Sequence, residues 1–408
     1  MKTKNVLSLF SGCGGMDLGF EGGFEVPATC VNSDLHQEGW YEETNRKTWV
    51  KLKRTSFNTV FANDILGHAE AAWIQYFSKR MDHADQVFHK ESIVELVKRH
   101  ASGEFKFPQN IDVVTGGFPC QDFSVAGKRK GFNSHKSHKN KNIDQLESDE
   151  SRGSLYLWMK QVIEITKPKV FIAENVKGLI SLGDAKSIIE KDFRRIGDGF
   201  LVVPAQVLKA MDYGVAQTRE RVIFIGLNKT YLKSEMIKKI EKGQFEIYPP
   251  ATHSDSAKKQ LAPYATVRSV LRGLKEPNQS KDLAQTKYSK AKYCAGTQGQ
   301  IEVNLNGQSP TIRAEHHGNI EYRRLGKDKG GKNTRELKSG KKERRLSVRE
   351  CARIQSFPDD FDFVFNKNHF GHNLSASGAY KVIGNAVPPL MAFNIAKHLE
   401  MIWDDLFE

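Results

Sequence analysis

Several short stretches of this 408-residue chain bring together residue types that can do covalent or proton-transfer chemistry. The most reactive is Cys120, in IDVVTGGFPCQDF. It follows a proline that fixes the backbone and stands where a buried-type strand opens into Gly116 and Gly117, the end at which open α/β sheets place their sites. Lys128, Arg129 and Lys130 follow closely and can favour a thiolate, the nucleophilic form. Glu174 and Asn175 close a second strand-like run, KPKVFIAENV, where a carboxylate can hydrogen-bond a ring nitrogen and supply a proton. In QTRERVIFIG, Arg219 and Arg221 share one face of a strand and Glu220 takes the other, so two guanidinium groups converge, with structural ion pairing as the plain alternative.

A ligand-cradling signature opens the chain. In VLSLFSGCGGMDLGF, Ser11, Gly12, Gly14 and Gly15 lie between a strand and a helix, where missing side chains let amide groups approach a ligand. Asp34 in VNSD and Asp64 in ANDI follow at expected strand ends, positions from which carboxylates bind ribose hydroxyls or an adenine amino group.

The elements that must position these groups are legible as short apolar runs at Asn5 to Phe10, Glu25 to Asn32, Ile111 to Thr115 and Lys169 to Ala173, separated by helical spacing. Parallel βαβ units are predicted. Leu201 to Gly226 holds two runs close enough to pair locally as an antiparallel edge. Residues 66–108 read as an inserted pair of helices, and the polar stretch Gln121 to Gly153 as a lid-like loop.

Composition narrows the partners. There are 62 Lys and Arg against 48 Asp and Glu, a formal charge of +14 that points to a polyanion. Residues 229–345 hold 26 of the bases and 12 of the acids, leaving 36 of each sign elsewhere, so this segment carries the whole excess. Its cations predict a surface that sits on phosphates. No run is long and apolar enough for a membrane span, and the first residues are too polar for a signal peptide. The scattered Cys13, Cys30, Cys120, Cys294 and Cys351 form no metal or disulfide framework and fit a reducing cytoplasm.

Taken in order, FSGCGG, VNSDL, ANDI, GGFPCQ, AENV, QTRER, RRLSVRECARIQSFPDDF and AYKVIGNAVPP closely resemble the cytosine-5 DNA methyltransferases of bacterial restriction-modification systems, nearly end to end. The resemblance implies a Rossmann-like α/β fold, a mostly parallel seven-stranded sheet binding S-adenosylmethionine, with a smaller target-recognition domain across a DNA cleft. It implies a catalytic domain over 1–228, target recognition over 229–345, and a return to the catalytic domain over 346–408. It places the cofactor over Phe10, Ser11, Gly12, Gly14 and Gly15, with Asp34 and Leu35 at the ribose, Asp64 and Ile65 at the adenine, and Pro119 and Asn385 completing the pocket. The sequence has Asp34 where the family usually has glutamate. Cys120 becomes the nucleophile, Glu174 the group that holds the base, and Arg219 and Arg221 the brackets of the pyrimidine. Gln121 and Ser124 are expected at the DNA, as are Arg313, Arg323 and Arg324 in a stretch that also carries His316 and His317, and the loop after Cys120 is expected to close over a flipped cytosine.

The expected partner is double-stranded DNA, with no metal, a monomer acting in the bacterial cytoplasm, and a cognate restriction endonuclease at the same site. Two other readings use the same residues: a tRNA cytosine-5 methyltransferase and a catalytically silent DNA-binding regulator. The first generally lacks so large a basic insert; the second would have no reason to keep Cys120, Glu174, Arg219 and Arg221 together.

Overall fold

A computed structural model describes residues 2–36, 39–119, 155–255, 260–314 and 317–407. Cys120, Gln121 and Ser124 lie outside the described residues, as do His316, the basic triplet 128–130 and the expected loop over the base. Strands β1 (Lys4–Leu9), β5 (Phe57–Asn63), β6 (Phe88–His89), β7 (Val113–Gly117), β8 (Val170–Val176), β9 (Phe200–Lys209) and β10 (Glu220–Asn228) form one seven-stranded sheet, in the order β6-β5-β1-β7-β8-β10-β9. All neighbouring pairs are parallel except those made by β10, which runs against β8 and β9. This bears out the expected mostly parallel sheet and the local antiparallel pair.

Alternation along the strands divides the core into two faces. Val6, Val113, Ile172 and Ile223 point to one, where α1 (Gly15–Glu21), α2 (Gly67–Phe77) and the C-terminal α13 (Pro389–Leu406) pack. Leu7, Val114, Phe171 and Phe224 point to the other, covered by α4 (Ile93–Ser102), α5 (Leu155–Thr166) and α6 (Ala185–Arg194). Strands buried on both sides explain why these runs read as continuously apolar.

Two expectations are corrected. The run Glu25 to Asn32 is no strand of the main sheet. Only β2 (Glu25–Pro27) is extended, in an antiparallel side sheet with β3 (Tyr41–Glu43) and β4 (Trp49–Leu52), ordered β2-β4-β3. Pro27 has no N–H to continue a ladder, and Ala28–Cys30 turns as a 3-10 helix. Residues 66–108 are likewise no insert. After β5, α2 covers one face, the single turn α3 (Ala84–Val87) leads to the two-residue edge strand β6, and α4 covers the other face before β7.

The basic segment opens on the main sheet and its helices rather than away from them. Helix α7 (Ser234–Glu241) follows a bridge between Leu232 and Phe407, and Tyr248 Oη donates to Ile223 O at 2.8 Å. Further on, the only α-helices among the described residues are the short α8 (Val267–Val270), α9 (Leu283–Thr286) and α10 (Thr334–Lys338). The chain then returns through α11 (Val348–Ile354) and α12 (Ala376–Asn385) to α13. No helix among the described residues is long and apolar enough to cross a membrane.

Asp17 ties α1 to the sheet. Buried, it accepts hydrogen bonds from Ser8 Oγ at 2.5 Å and Trp73 Nε1 at 2.7 Å. Burial pushes its carboxyl up to about 7, against the lowering effect of those donors. The native state therefore keeps a proton that the unfolded chain has already released, and this contribution to stability is lost as pH rises from about 4 through 7. Asp17→Asn removes the titration while keeping the shape. Urea unfolding should show the variant gaining on the parent by about 2 kcal/mol between pH 5 and pH 8. A difference that stays constant with pH would contradict the raised carboxyl.

Candidate active site

The carboxyl ends of β1, β5, β7 and β8 meet at one edge of the sheet. At the end of β1, Phe10 takes φ 53, a conformation rare outside glycine. Gly12 and Gly14 follow at φ 56 and 83. A side chain on Gly14 would strike Trp73 and Phe77 of α2, whereas one on Gly12 would meet nothing within 4 Å, so the turn is packed from below and open above. The Asp64 carboxylate accepts from Gly12 N–H at 3.0 Å and Leu66 N–H at 2.9 Å, which fixes the turn to the end of β5. Ile65 and Leu66 are exposed beside it. Asn385 ends α12, and the neighbouring Val387 carbonyl packs against Gly15.

Asp34 is elsewhere. It lies on an exposed turn in the connection between β2 and β3 of the side sheet, its N–H bonded to Asn32 Oδ1, and Leu35 N–H bonds the same oxygen. Since no strand of the main sheet delivers these two residues, the position next to the glycine turn belongs to Asp64.

A second cluster forms where β7, β8 and β10 lie side by side. Glu174 is in register with Gly117 on β7 and Ile223 on β10. Its carboxylate occupies the space a side chain on Gly117 would need, 2.8 Å from that missing carbon. Glu174 Oε1 lies 2.5 Å from Arg221 Nε, and both side chains are about nine-tenths buried. Next to it, Asn175 Nδ2 donates to Phe118 O at 3.2 Å, anchoring the backbone that runs through the half-buried Pro119 toward Cys120. Glu220 points away and pairs with Lys177 at 2.9 Å.

Arg219 does not converge with Arg221 on an open pocket, contrary to expectation. It precedes β10, is fully buried, and donates to Ile312 O at 3.3 Å, Gly384 O at 2.9 Å and Asn385 O at 3.4 Å. Burial drives its pKa well down, the Arg221 charge adds to this, and Glu174 opposes it. Its guanidinium joins chain segments; it is enclosed by carbonyls. Gln217, also fully buried, extends this junction: its Nε2 donates to Gln355 Oε1 and its Oε1 accepts Ile312 N–H at 3.2 Å.

The described cysteines are no rivals for a nucleophile. Cys13, Cys30 and Cys351 are buried, and burial pushes their thiols up, that of Cys30 to about 12; Cys294 is exposed but is placed on no strand end of the sheet.

A model of the C-5 cytosine-specific DNA methylases matches residues 4–401. The chain belongs to that family. The methylase is 31% identical to Type II methyltransferase M.BsuRI of Bacillus subtilis, over 96% of this chain and 78% of the relative. It is 32% identical to M.BspRI of Lysinibacillus sphaericus, over 97% and 81%. Among solved structures, that of Schizosaccharomyces pombe Dnmt2 methyltransferase superposes with a TM-score of 0.54 at 16% identity, covering 98% of this chain and 99% of the other, a likeness of fold. The methylase is thus a DNA cytosine-5 methyltransferase.

Three of its basic residues expected at the DNA can be located. Arg313 is partly exposed, with Nη1 3.6 Å from Oε1 of Glu321, whose carboxyl burial pushes up to about 7. Arg323 is largely buried, 3.0 Å from Glu336 and 3.7 Å from Glu350. Arg324 is 1% exposed and held by Glu276 at 2.7 Å and Glu336 at 2.9 Å, a burial that withholds it from a phosphate and corrects its assignment. Arg344 and Arg345 are buried too, the first on Glu350 at 2.7 Å, the second donating to the carbonyls of Ala291, Gly299 and Ile320. In a region with few long apolar runs, these arginines do the internal fastening. Sequence reasoning missed Gln217, although it begins the QTRER motif, and Gln355, which only its burial reveals.

Proposed function

We propose that the methylase transfers a methyl group from S-adenosylmethionine to C5 of a flipped cytosine within a specific duplex sequence. The observation that carries this reading is the Glu174–Arg221 pair set beside the backbone leading to Cys120, in a chain matched along almost its whole length by cytosine-5 methylases. The cofactor suits the open turn at Gly12, flanked by exposed Ile65 and Leu66 for an adenine face. Asp64 ends the strand bonded to β1 and is the carboxylate for the ribose hydroxyls, since its two bonds to N–H groups leave lone pairs free. Phe10, Ser11, Pro119 and Asn385 line the remainder, and Asp34 and Leu35 take no part.

When bound, S-adenosylmethionine supplies an electrophilic methyl group. Cytosine C5 is too weak a nucleophile to accept it unaided. The Cys120 thiolate adds to C6, and the electron pair of the C5–C6 bond moves to C5. Glu174 engages N3 and the exocyclic amino group, and Arg221 holds both that carboxylate and the charge growing near O2. Once C5 carries the methyl group, its proton leaves to a base, the C5–C6 double bond re-forms and Cys120 is expelled. Flipping the base out of the stack costs roughly a few kcal/mol.

Residues 229–345 select the sequence, with Arg313 the exposed arginine of the three expected there and lysines at the phosphates; residues 1–228 and 346–408 carry the chemistry. The methylase acts as a monomer in the bacterial cytoplasm and protects the site from a cognate endonuclease. Base-resolution methylation mapping of DNA from cells expressing it tests the reading. One short sequence should be methylated at one cytosine throughout the genome, and DNA methylated at no fixed sequence would refute it.

A further inference from the structure

The side sheet β2-β4-β3 takes no part in the chemistry, yet the segment that contains it reaches the sequence-selecting segment in two ways, directly through Asn32 and through Asp359 and Arg353 of the returning chain. In the first, Asn32 is buried and its Nδ2 donates to Thr252 O at 2.8 Å and Gln260 O at 2.7 Å. Its own N–H is held by Nδ1 of buried His36 at 3.0 Å, which sets the side chain's direction. In the second, Arg46 lies 3.6 Å from the centre of the Trp49 indole and reaches Asp359 at 2.8 Å. Asp359 also receives both arms of Arg353 at 2.7 Å, and Arg353 Nη1 donates onward to Val270 O at 3.2 Å and Arg272 O at 3.0 Å. The Arg353 guanidinium lies 4.9 Å from the same indole centre.

Each contact ends on main-chain carbonyls of the selecting segment, at its residues 252, 260, 270 and 272. Bonds to carbonyls fix where a backbone sits without depending on which side chains it presents. The side sheet is itself joined to the main sheet, because the chain runs from β4 directly into β5. We propose that the side sheet is a brace which sets the position of the selecting segment relative to the catalytic sheet, with Arg46 and Asn32 as positioning residues for sequence discrimination.

This rests on the reading of residues 229–345 as the selecting segment, and the test separates the two. Arg46→Ala and Asn32→Ala, from independent contacts, are compared with Arg313→Ala, each assayed on a duplex carrying the mapped site and on one altered at a single recognised base pair. For the two brace variants, discrimination in kcat/KM should fall at least about fivefold and KM for DNA should rise, while kcat at saturating DNA and the S-adenosylmethionine Kd change by less than about twofold. Arg46→Lys, which keeps the charge toward Asp359, should recover part of the loss. A loss of stability alone would not lower discrimination while sparing kcat. If Arg313→Ala changes discrimination and neither brace variant does, the brace is refuted; if Arg313→Ala also leaves discrimination intact, the assignment of the selecting segment fails first. Should one brace variant not fold, the other decides.

Discussion

Replacing Cys120 by serine is expected to lower methyl transfer to duplex DNA by on the order of 10⁴-fold or more while leaving duplex binding in place. A serine hydroxyl carries almost no alkoxide near neutral pH, so the addition to C6 that activates C5 does not occur. No other described thiol can stand in: burial pushes Cys13, Cys30 and Cys351 away from the thiolate form, and Cys294 lies outside the sheet edge. Transfer of a labelled methyl group, measured beside a gel-shift assay, checks both halves. Transfer at the parental rate would remove Cys120 from the mechanism, and loss of duplex binding would show that its role is structural.

Glu174→Gln is the second large effect, a fall in kcat of about 10²- to 10⁴-fold. The amide keeps the shape but can neither exchange a proton with N3 nor carry the charge that faces Arg221. Arg221 is 9% exposed, and losing its carboxylate also costs the fold, by about 3 kcal/mol. These two consequences come apart in the double variant Glu174→Gln with Arg221→Met, which should regain much of the lost stability in thermal unfolding and none of the activity. Activity that returned along with stability would show that Glu174 is a structural ion pair and nothing more.

The site was legible where the sequence marks a strand and its end together. GGFPC, AENV and RERVIFIG each join a β-branched or apolar run to the residue it delivers, and β7, β8 and β10 are adjacent in the sheet. The side sheet was not legible, because EVPATCVN has the composition of a buried strand and only the chain's path shows that Pro27 ends it. The place of α2 and α4 was missed because β6, the strand between them, is two residues long and leaves no pattern. The arginines misled for a different reason. A charge count treats every guanidinium as solvated, whereas Arg324 finds Glu276 at a separation of 48 positions and Arg219 finds Gly384 at 165, distances over which no local pattern operates.

Strand β10 runs against its neighbours, so it meets the catalytic edge with its beginning, whereas β1, β5, β7 and β8 meet it with their ends. The residues just before it therefore travel along that edge. There Thr218 N–H bonds Ser309 O and Ser309 N–H bonds Ala216 O, each at 2.9 Å, stitching backbone of the basic segment to the lead-in of Arg221. One short bridge thus both joins the basic segment to the sheet edge and sets the chain that delivers the Arg221 guanidinium to Glu174. Under the proposed reading, a mismatched sequence that shifts Ser309 has a path of three residues, from Thr218 to Arg221, by which to disturb the pair that Arg221 makes with Glu174.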